Sequence, residues 1–427
     1  MRTRVPVSMV RIFRFSAVRP APSHAQGIAA VPYDVVSAEE ARECIRKNNE
    51  SFLRVSRSDA LLPKGSPYDP PVYDLARENF QGMIREGQMV QDESPALYLY
   101  RVTYGNSCYL GLACCLDVDD YLSNMIKRHE LTRYDKEEDR TRHIDTVNAH
   151  TGPVVLLYND PGEIYPFIES LVTNGQKPVT SVRSEQGALH EIFRVTDEAA
   201  YNRIRELFDG IDAYIADGHH RAKSAVNVAE KRRANGDTSE EAGHFIGVLF
   251  SHRKVTIHGY SRLVTQQKKV PPETLLGKIS QTFEVTSISG VDPSAYQILT
   301  RDLYFTPHHV FHMYLNGIWY ECSLPYEEGA GPIESLDVSV LQKLVLEKLL
   351  GITDPRGDMR LQYLGGARPV GNLEDLVDRG EFMAAFSMQP VNVDTVLAIA
   401  DAGCIMPPKS TWFEPKLLSG LLVHLLN

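Results

Sequence analysis

The apolar positions of this chain change their period several times, and each change marks an element. Ala96 to Tyr104 predicts a strand, with the aromatic residues Tyr98, Tyr100 and Tyr104 on one alternating face. Pro153 to Tyr158 is an unbroken apolar run that predicts a buried strand, closed by the turn Asp160-Pro161-Gly162 and followed by a helix to about Val172. Further on, Ala222, Ala225, Val226 and Ala229 fall at i, i+3, i+4 and i+7, the spacing of a helix that ends at Asn235-Gly236. A short strand, Ala213 to Ala216, precedes that helix. The segment Asp217-Gly218-His219-His220-Arg221 therefore joins a strand end to a helix start.

Punctuating residues fill in the remainder. Val10 to Val18 reads as the first strand, and the extended Pro32 to Val36 leads into a helix capped by Ser37, with Glu39 and Glu40 in its first turn. Pro63 to Pro71 is a loop before a helix from Asp74 to Glu86. Lys127 to Ala149 is a charged helical stretch, and its run from Lys136 to Arg142 predicts a solvated face. Thr196 is a fitting N-cap for a helix to Phe208 that Asp209-Gly210 stops.

After about His252 the texture changes. Asn316-Gly317, between Val310 to Leu315 and Ile318 to Ser323, signals a type I′ hairpin. A helix comes next, from Asp337 to Leu350, and Asp394 caps a shorter one that Gly403 stops. Beyond it lie Pro407-Pro408-Lys409-Ser410-Thr411 and a last strand from Gly420 to Leu425. The pattern predicts an α+β fold in two domains, residues 1–252 and 253–427.

Composition narrows the function classes. The 427 residues are 43% hydrophobic and 23% charged, an ordinary globular balance with ample material for two cores. A formal net charge of −10 disfavours nucleic acid and anionic membrane as partners and leans toward small-molecule chemistry. No apolar run approaches the ~18 to 20 residues of a spanning helix, and Met1 to Ala17 lacks a signal-peptide core, which predicts a cytoplasmic protein. Cys44, Cys108, Cys114, Cys115, Cys322 and Cys404 show no zinc-type spacing and fit free thiols in a reducing compartment.

Three segments carry candidate chemistry. At Asp217-Gly218-His219-His220-Arg221 the helix N-terminus offers backbone N–H groups to an anion, the glycine permits close approach, and Arg221 is a bidentate phosphate donor. Asp217 suits a magnesium ion or an orienting bond to a histidine; the plainer alternative is a capping aspartate followed by surface histidines. His129-Glu130 pairs a carboxylate with an imidazole, though a glutamate beside a histidine is usually just an exposed residue. Lys409, Ser410 and Thr411 cluster an amine and two hydroxyls suited to a carboxylate or phosphate, or simply form a proline-rich turn.

Several blocks occur together in order: VPYDVV at Val31 to Val36, SFLRVSR at Ser51 to Arg57, RHELT with KEEDR within Arg128 to Arg140, ADGHHR at Ala216 to Arg221, and MPPKSTWFEPKLLSGL from Met406 to Leu421. On these blocks the chain resembles DUF1015, a bacterial family of conserved domains of unknown function. It is more distantly similar to the ParB/sulfiredoxin-like superfamily, whose members bind nucleotide phosphates with a Gly-x-His-Arg type of loop. Within that superfamily, His129-Glu130, Asp217 to Arg221 and Pro408-Lys409-Ser410-Thr411 match, in the same order, the motifs of the free serine kinases.

That resemblance implies a ParB/sulfiredoxin-like unit with an N-terminal extension, plus a second α/β domain. It implies phosphoryl transfer from ATP or ADP, with Mg²⁺, to a small hydroxy amino acid, free serine first among them. Glu130, Asp217 and His220 would be catalytic, with Glu130 as base and Asp217 placing the metal. Gly218, His219, His220 and Arg221 would hold phosphates, and His129, Lys409, Ser410 and Thr411 would hold the second substrate. Sulfiredoxin chemistry is disfavoured because its cysteine position is His219 here. A nucleotide-binding switch acting on a protein or DNA partner, and a nucleotide hydrolase, are the alternatives.

Overall fold

Strand-forming residues cluster in the first half of the chain, and there they build one large sheet. The computed structural model describes residues 10–62, 65–173, 175–265, 271–298, 308–365 and 368–427. The chain divides into two units, Met1–Val255 with Pro415–Asn427, and Thr256–Glu414. Both mix helices with sheets, so the fold is α+β.

Among the described residues, the main sheet of the first unit has nine strands: β1 (Ile12–Phe13), β2 (Leu97–Tyr104), β3 (Ser107–Asp117), β4 (Ile126–Lys127), β5 (Val154–Tyr158), β6 (Thr180–Arg183), β7 (Leu189–Val195), β8 (Ala213–Asp217) and β9 (His244–Ser251). They run in the order β4-β8-β5-β9-β3-β2-β7-β6, with β1 beside β3. Two pairs, β4 with β8 and β5 with β9, are parallel, and the others are antiparallel. Leu112, Leu116, Leu156, Ile215 and Leu249 are fully buried in the core on this sheet.

Three helices matter for the site: α1 (Ala38–Lys47), α2 (Tyr134–Val147) and α3 (His219–Ala234). Ser37 caps α1 in a reciprocal box with Glu40, as the sequence suggests. In α3 the small residues Ala222, Ala225 and Ala229 are buried, which lets neighbouring backbone come close. Helix α2 packs on it, with Ser224 Oγ donating to the Glu137 carbonyl at 2.9 Å and Arg232 Nε to Asp145 Oδ1 at 3.0 Å.

The charged run of α2 is not the solvated face expected of it. Asp139, Thr141 and His143 are buried, Tyr73 Oη donates to Asp139 Oδ1 at 3.0 Å, and His143 Nε2 donates to the Val55 carbonyl at 2.9 Å. One side of α2 points inward because two other helices sandwich it, α3 and the helix Pro70–Arg85, and its polar groups find partners there. Smaller departures are local. Asp197 rather than Thr196, and Asn392 rather than Asp394, accept the capping bonds, and Val10 to Val18 breaks into Ile12–Phe13 and Val18–Pro20. The helix from Asp337 is α-helical only to Leu341 and continues as a π-turn over Gln342–Glu347. The terminal strand shortens to His424–Leu425, paired with Ala149–His150.

Among the described residues, the second unit carries a six-stranded antiparallel sheet: β10 (Ser261–Val264), β11 (Glu284–Ile288), β12 (His308–Leu315), β13 (Ile318–Pro325), β14 (Leu361–Leu364) and β15 (Ala384–Met388), ordered β11-β13-β12-β15-β10-β14. The β12–β13 turn is the expected one, with Asn316 at φ 51° and Gly317 at φ 79°. All six cysteines are free. No helix among the described residues is long and apolar enough to cross a membrane.

Gly111 in β3 marks how tightly β3 and β9 are covered, because an added Cβ would lie 2.7 Å from Val248 Cγ1 and 2.8 Å from the Phe250 ring. Gly111→Ala is expected to destabilise the first unit by about 1–3 kcal/mol through overpacking. Urea unfolding checks this: an unchanged midpoint would mean that the ring and the valine have room to move.

Candidate functional site

The register of β8 decides which segments meet. Strand β4 lies parallel to β8, Ala213 opposite Ile126 and Tyr214 opposite Lys127, so both strands end at the same edge of the sheet. The chain leaves β4 into His129-Glu130 and leaves β8 into Gly218-His219-His220-Arg221. Antiparallel β5 begins at that edge, because a bulge between Ile215 and Asp217 sets Asp217 opposite Val155. The turn Gly152-Pro153 is thereby brought against Arg221.

Gly218 stands at φ 97°, ψ 30° as the N-cap of α3, and no side chain caps that helix. Two constraints require glycine here: the left-handed backbone, and a Cβ that would sit 3.0 Å from Arg221 Cζ. Arg221 folds back over this gap. Its Nη1 donates to the Pro153 carbonyl, its Nη2 lies 3.6 Å from Asp217 Oδ2, and its buried Nε has no partner among the described residues. Burial alone would lower the pKa of this guanidinium, but Asp217, Asp34 and Tyr33 hold it above its ordinary value. Lys416 Nζ meets the same Asp217 Oδ2 at 3.1 Å.

The two histidines of the loop divide. His219 is 6% exposed, with Nε2 buried and lacking a partner among the described residues, and its ring stands edge-on to His129 at 4.7 Å between centroids. Burial, opposed by Asp217, pushes the His129 pKa down to about 4; burial and His129 hold His219 well below the usual imidazole value. Both rings are therefore neutral at pH 7. His220 is half-buried, and its Nε2 accepts the Arg133 backbone N–H at 2.9 Å, which ties the start of α2 to the loop.

Glu130 is half-buried on the bend after β4, one residue from the buried His129. Lys409, Ser410 and Thr411 belong to the second unit. There Lys409 takes a left-handed φ of 57°, its carbonyl accepts from Arg262 Nη2 at 3.1 Å, and its Nζ lies 5.3 Å from the centre of the Tyr260 ring. Ser410 Oγ donates to the Pro407 carbonyl at 2.6 Å, so its proton holds the turn. No group of three or more His, Cys, Asp or Glu side chains among the described residues is placed to hold a metal ion.

Four residues join the loop's surroundings that motif reading did not single out: Tyr33, Arg57, Arg140 and Lys416. Arg57 donates from Nη1 to the carbonyls of Tyr33 (3.1 Å) and Val36, which pins the VPYDVV segment. Arg140 stacks its guanidinium 4.3 Å from the centre of the Tyr33 ring and pairs with Asp139 at 2.8 Å. All four stand inside the sequence blocks that carry the DUF1015 resemblance, so the blocks themselves were the signal, without saying which side chains turn inward.

A mixed α/β chain in two units, with an uncapped, glycine-led helix start and a buried arginine folded over it, is the class that fold and site define. It belongs to the family described as a protein of unknown function (DUF1015), whose profile matches residues 12–339. No curated protein matches the chain. Distant likenesses among solved structures include a free serine kinase in complex with AMP, at 14% identity and TM-score 0.37, covering 71% of this chain and 88% of that one. SbnI with a C-terminal truncation from Staphylococcus aureus is alike at 13% identity and TM-score 0.37, over 73% of this chain and 87% of that one. A conserved hypothetical protein from Pyrococcus furiosus is alike at 13% identity and TM-score 0.33, over 70% and 90%.

The neutral histidines make stability depend on pH. His129 and His143 both have folded-state pKa values pushed down to about 4, in each case by burial first, with Arg140 also acting on His143. Because the unfolded chain takes up these protons near pH 6.5 and the folded chain does not, stability is full above that value and falls as pH drops from 6.5 toward 4. Each group contributes on the order of 1–3 kcal/mol. Imidazole NMR at pH 5.5 should show both rings still neutral; a protonated His143 at that pH contradicts the assignment.

Proposed function

We propose that this protein is a nucleotide-dependent phosphotransferase acting on a small hydroxy amino acid, with conversion of free L-serine to O-phosphoserine as the specific reaction. The observation that carries this reading is the start of α3. A sixteen-residue helix opens on Gly218 with no side-chain cap, flanked by the buried, unpartnered Nε2 of His219 and Nε of Arg221. Leading N–H groups of such a helix, its dipole and a buried guanidinium suit the phosphates of a nucleotide, ATP or ADP. The order of motifs supports the same assignment, including a ParB/sulfiredoxin-like unit, and the proposal takes the cytoplasm as the place of action.

In this reading Gly218, His219, His220 and Arg221 hold phosphates. The acceptor hydroxyl oxygen attacks the terminal phosphorus, the bond to the leaving oxygen of the nucleotide breaks, and the proton passes to Glu130. His129 keeps its assignment to substrate binding and Asp217 its catalytic one; His220, assigned as catalytic, also holds the Arg133 backbone N–H. Magnesium usually binds through one or two carboxylates plus substrate phosphates; Asp217, the carboxylate of the loop, is paired with Arg221 and Lys416, so an ion brought in with the nucleotide would use it by displacing one of those cations. That ion would supply charge neutralisation on the phosphates. Lys409, Ser410 and Thr411 keep the acceptor-binding role that motif order assigns to them.

Pure protein incubated with Mg²⁺, ATP or ADP and a pool of amino acids should yield a new phosphate ester of one of them. Nucleotide turnover that serine does not alter would instead favour a hydrolase, and binding without turnover a switch. In the same assay Glu130→Gln should lower turnover by about 10²- to 10⁴-fold while nucleotide affinity holds. Wild-type turnover in that variant would remove Glu130 as base. Arg221→Ala, with its fold verified by circular dichroism, should weaken nucleotide binding in calorimetry by about 1.5–3 kcal/mol. An unchanged dissociation constant would take the loop out of the nucleotide site.

A further inference from the structure

Arg221 also lines a cavity of about 30 Å³ within the first unit, whose other walls include Tyr33, Arg140, His143, His150 and Thr151. Neither guanidinium there is fully satisfied. Arg140 gives Nε and Nη2 to Asp139 at 2.9 and 2.8 Å, but its Nη1 reaches the Ser56 carbonyl only at 3.4 Å. Arg221 gives Nη1 to Pro153, stands 3.6 Å from Asp217 and leaves Nε without a partner among the described residues. A guanidinium carries five N–H donors, and buried donors left unmade are costly, so the pair favours a ligand rich in acceptors.

Two of the acidic groups around the cavity are already engaged, and the third, Asp34, is open to water while still acting on Tyr33 and Arg221. Asp139 is taken by Arg140 and Tyr73, Asp217 by Arg221 and Lys416, and Asp34 is exposed. The volume admits a group of a few heavy atoms, and the planar guanidinium fork matches a planar carboxylate. Tyr33 holds Arg140 in place through ring stacking, and Arg57 holds Tyr33. Because Arg221 reaches from the α3 start to this cavity, a molecule whose carboxylate fills the cavity has its other end near the phosphate loop.

We propose that the cavity between Tyr33, Arg140, Thr151 and Arg221 binds the α-carboxylate of the amino-acid acceptor; this rests on the phosphotransferase reading for the identity of the ligand. The test is calorimetric titration of L-serine, L-alanine and serinol, which lacks the carboxylate, into the full-length protein with and without saturating AMP. Wild type should bind the two amino acids and not serinol. Arg140→Gln should raise the dissociation constant of both amino acids at least tenfold and leave that of AMP within twofold. Thr151→Val, a gentler change, should move it in the same direction with the melting temperature kept.

Equal binding of serine and serinol, no binding of either amino acid, or a Thr151→Val and Arg140→Gln pair that bind serine as wild type does would overturn the proposal. So would a loss of AMP rather than serine in Arg140→Gln, which would make the cavity part of the nucleotide site. The two readings fail separately. Carboxylate-dependent serine binding without any O-phosphoserine sinks the phosphotransferase and keeps the pocket; O-phosphoserine formed by Arg140→Gln at an unchanged KM for serine sinks the pocket alone.

Discussion

Burying the Arg221 guanidinium is the constraint on which the rest of this site depends. A charge held away from water costs several kcal/mol unless it is paired and hydrogen-bonded. Here the pairing comes from three directions: the Pro153 carbonyl, the Asp217 carboxylate, and the space left by the missing Cβ of Gly218. Each direction fixes something larger. Pro153 ties the start of β5 to α3, Asp217 draws in Lys416 from the far end of the sequence, and Gly218 lets the helix begin with its backbone uncovered.

The same burial sets the electrostatics. His129, His143 and His219 are all pushed below the usual imidazole range by desolvation, so these three rings add no positive charge to the interior near the two arginines at neutral pH. The charges that remain there are the two guanidinium groups, each beside a carboxylate, and the Lys416 ammonium; a low-dielectric setting strengthens their interactions. In the proposed reading these cations receive an anionic ligand.

Parts of this were legible in the sequence because they are enforced within a few residues. The Ser37–Glu40 capping box, the Asn316-Gly317 turn with both residues at positive φ, and the strand, glycine and helix order around Asp217 each depend on local backbone geometry. Where two neighbours can do one job, the reading slipped by a residue or two, as with Thr196 and Asp197 or Asp394 and Asn392. The inward face of α2 was a different kind of miss. A run of charges tells a reader what a helix carries and not which way it is turned, and only the helices packed on either side of α2 bury Asp139 and His143.

By itself, then, the sequence determined most of the elements and the strand, glycine and helix order at the α3 start, since these come from the conformational limits of single residues and from helix ends. It did not determine that Tyr33 would stack on Arg140, that Arg57 would pin the segment carrying Tyr33, or that Lys416 would meet Asp217. Those contacts join positions scattered from the first strands to the last residues of the unit. They depend on packing and hydrogen-bond register over the whole unit, as does the parallel pairing of β4 with β8 that brings His129 and His219 out of the same edge of one sheet.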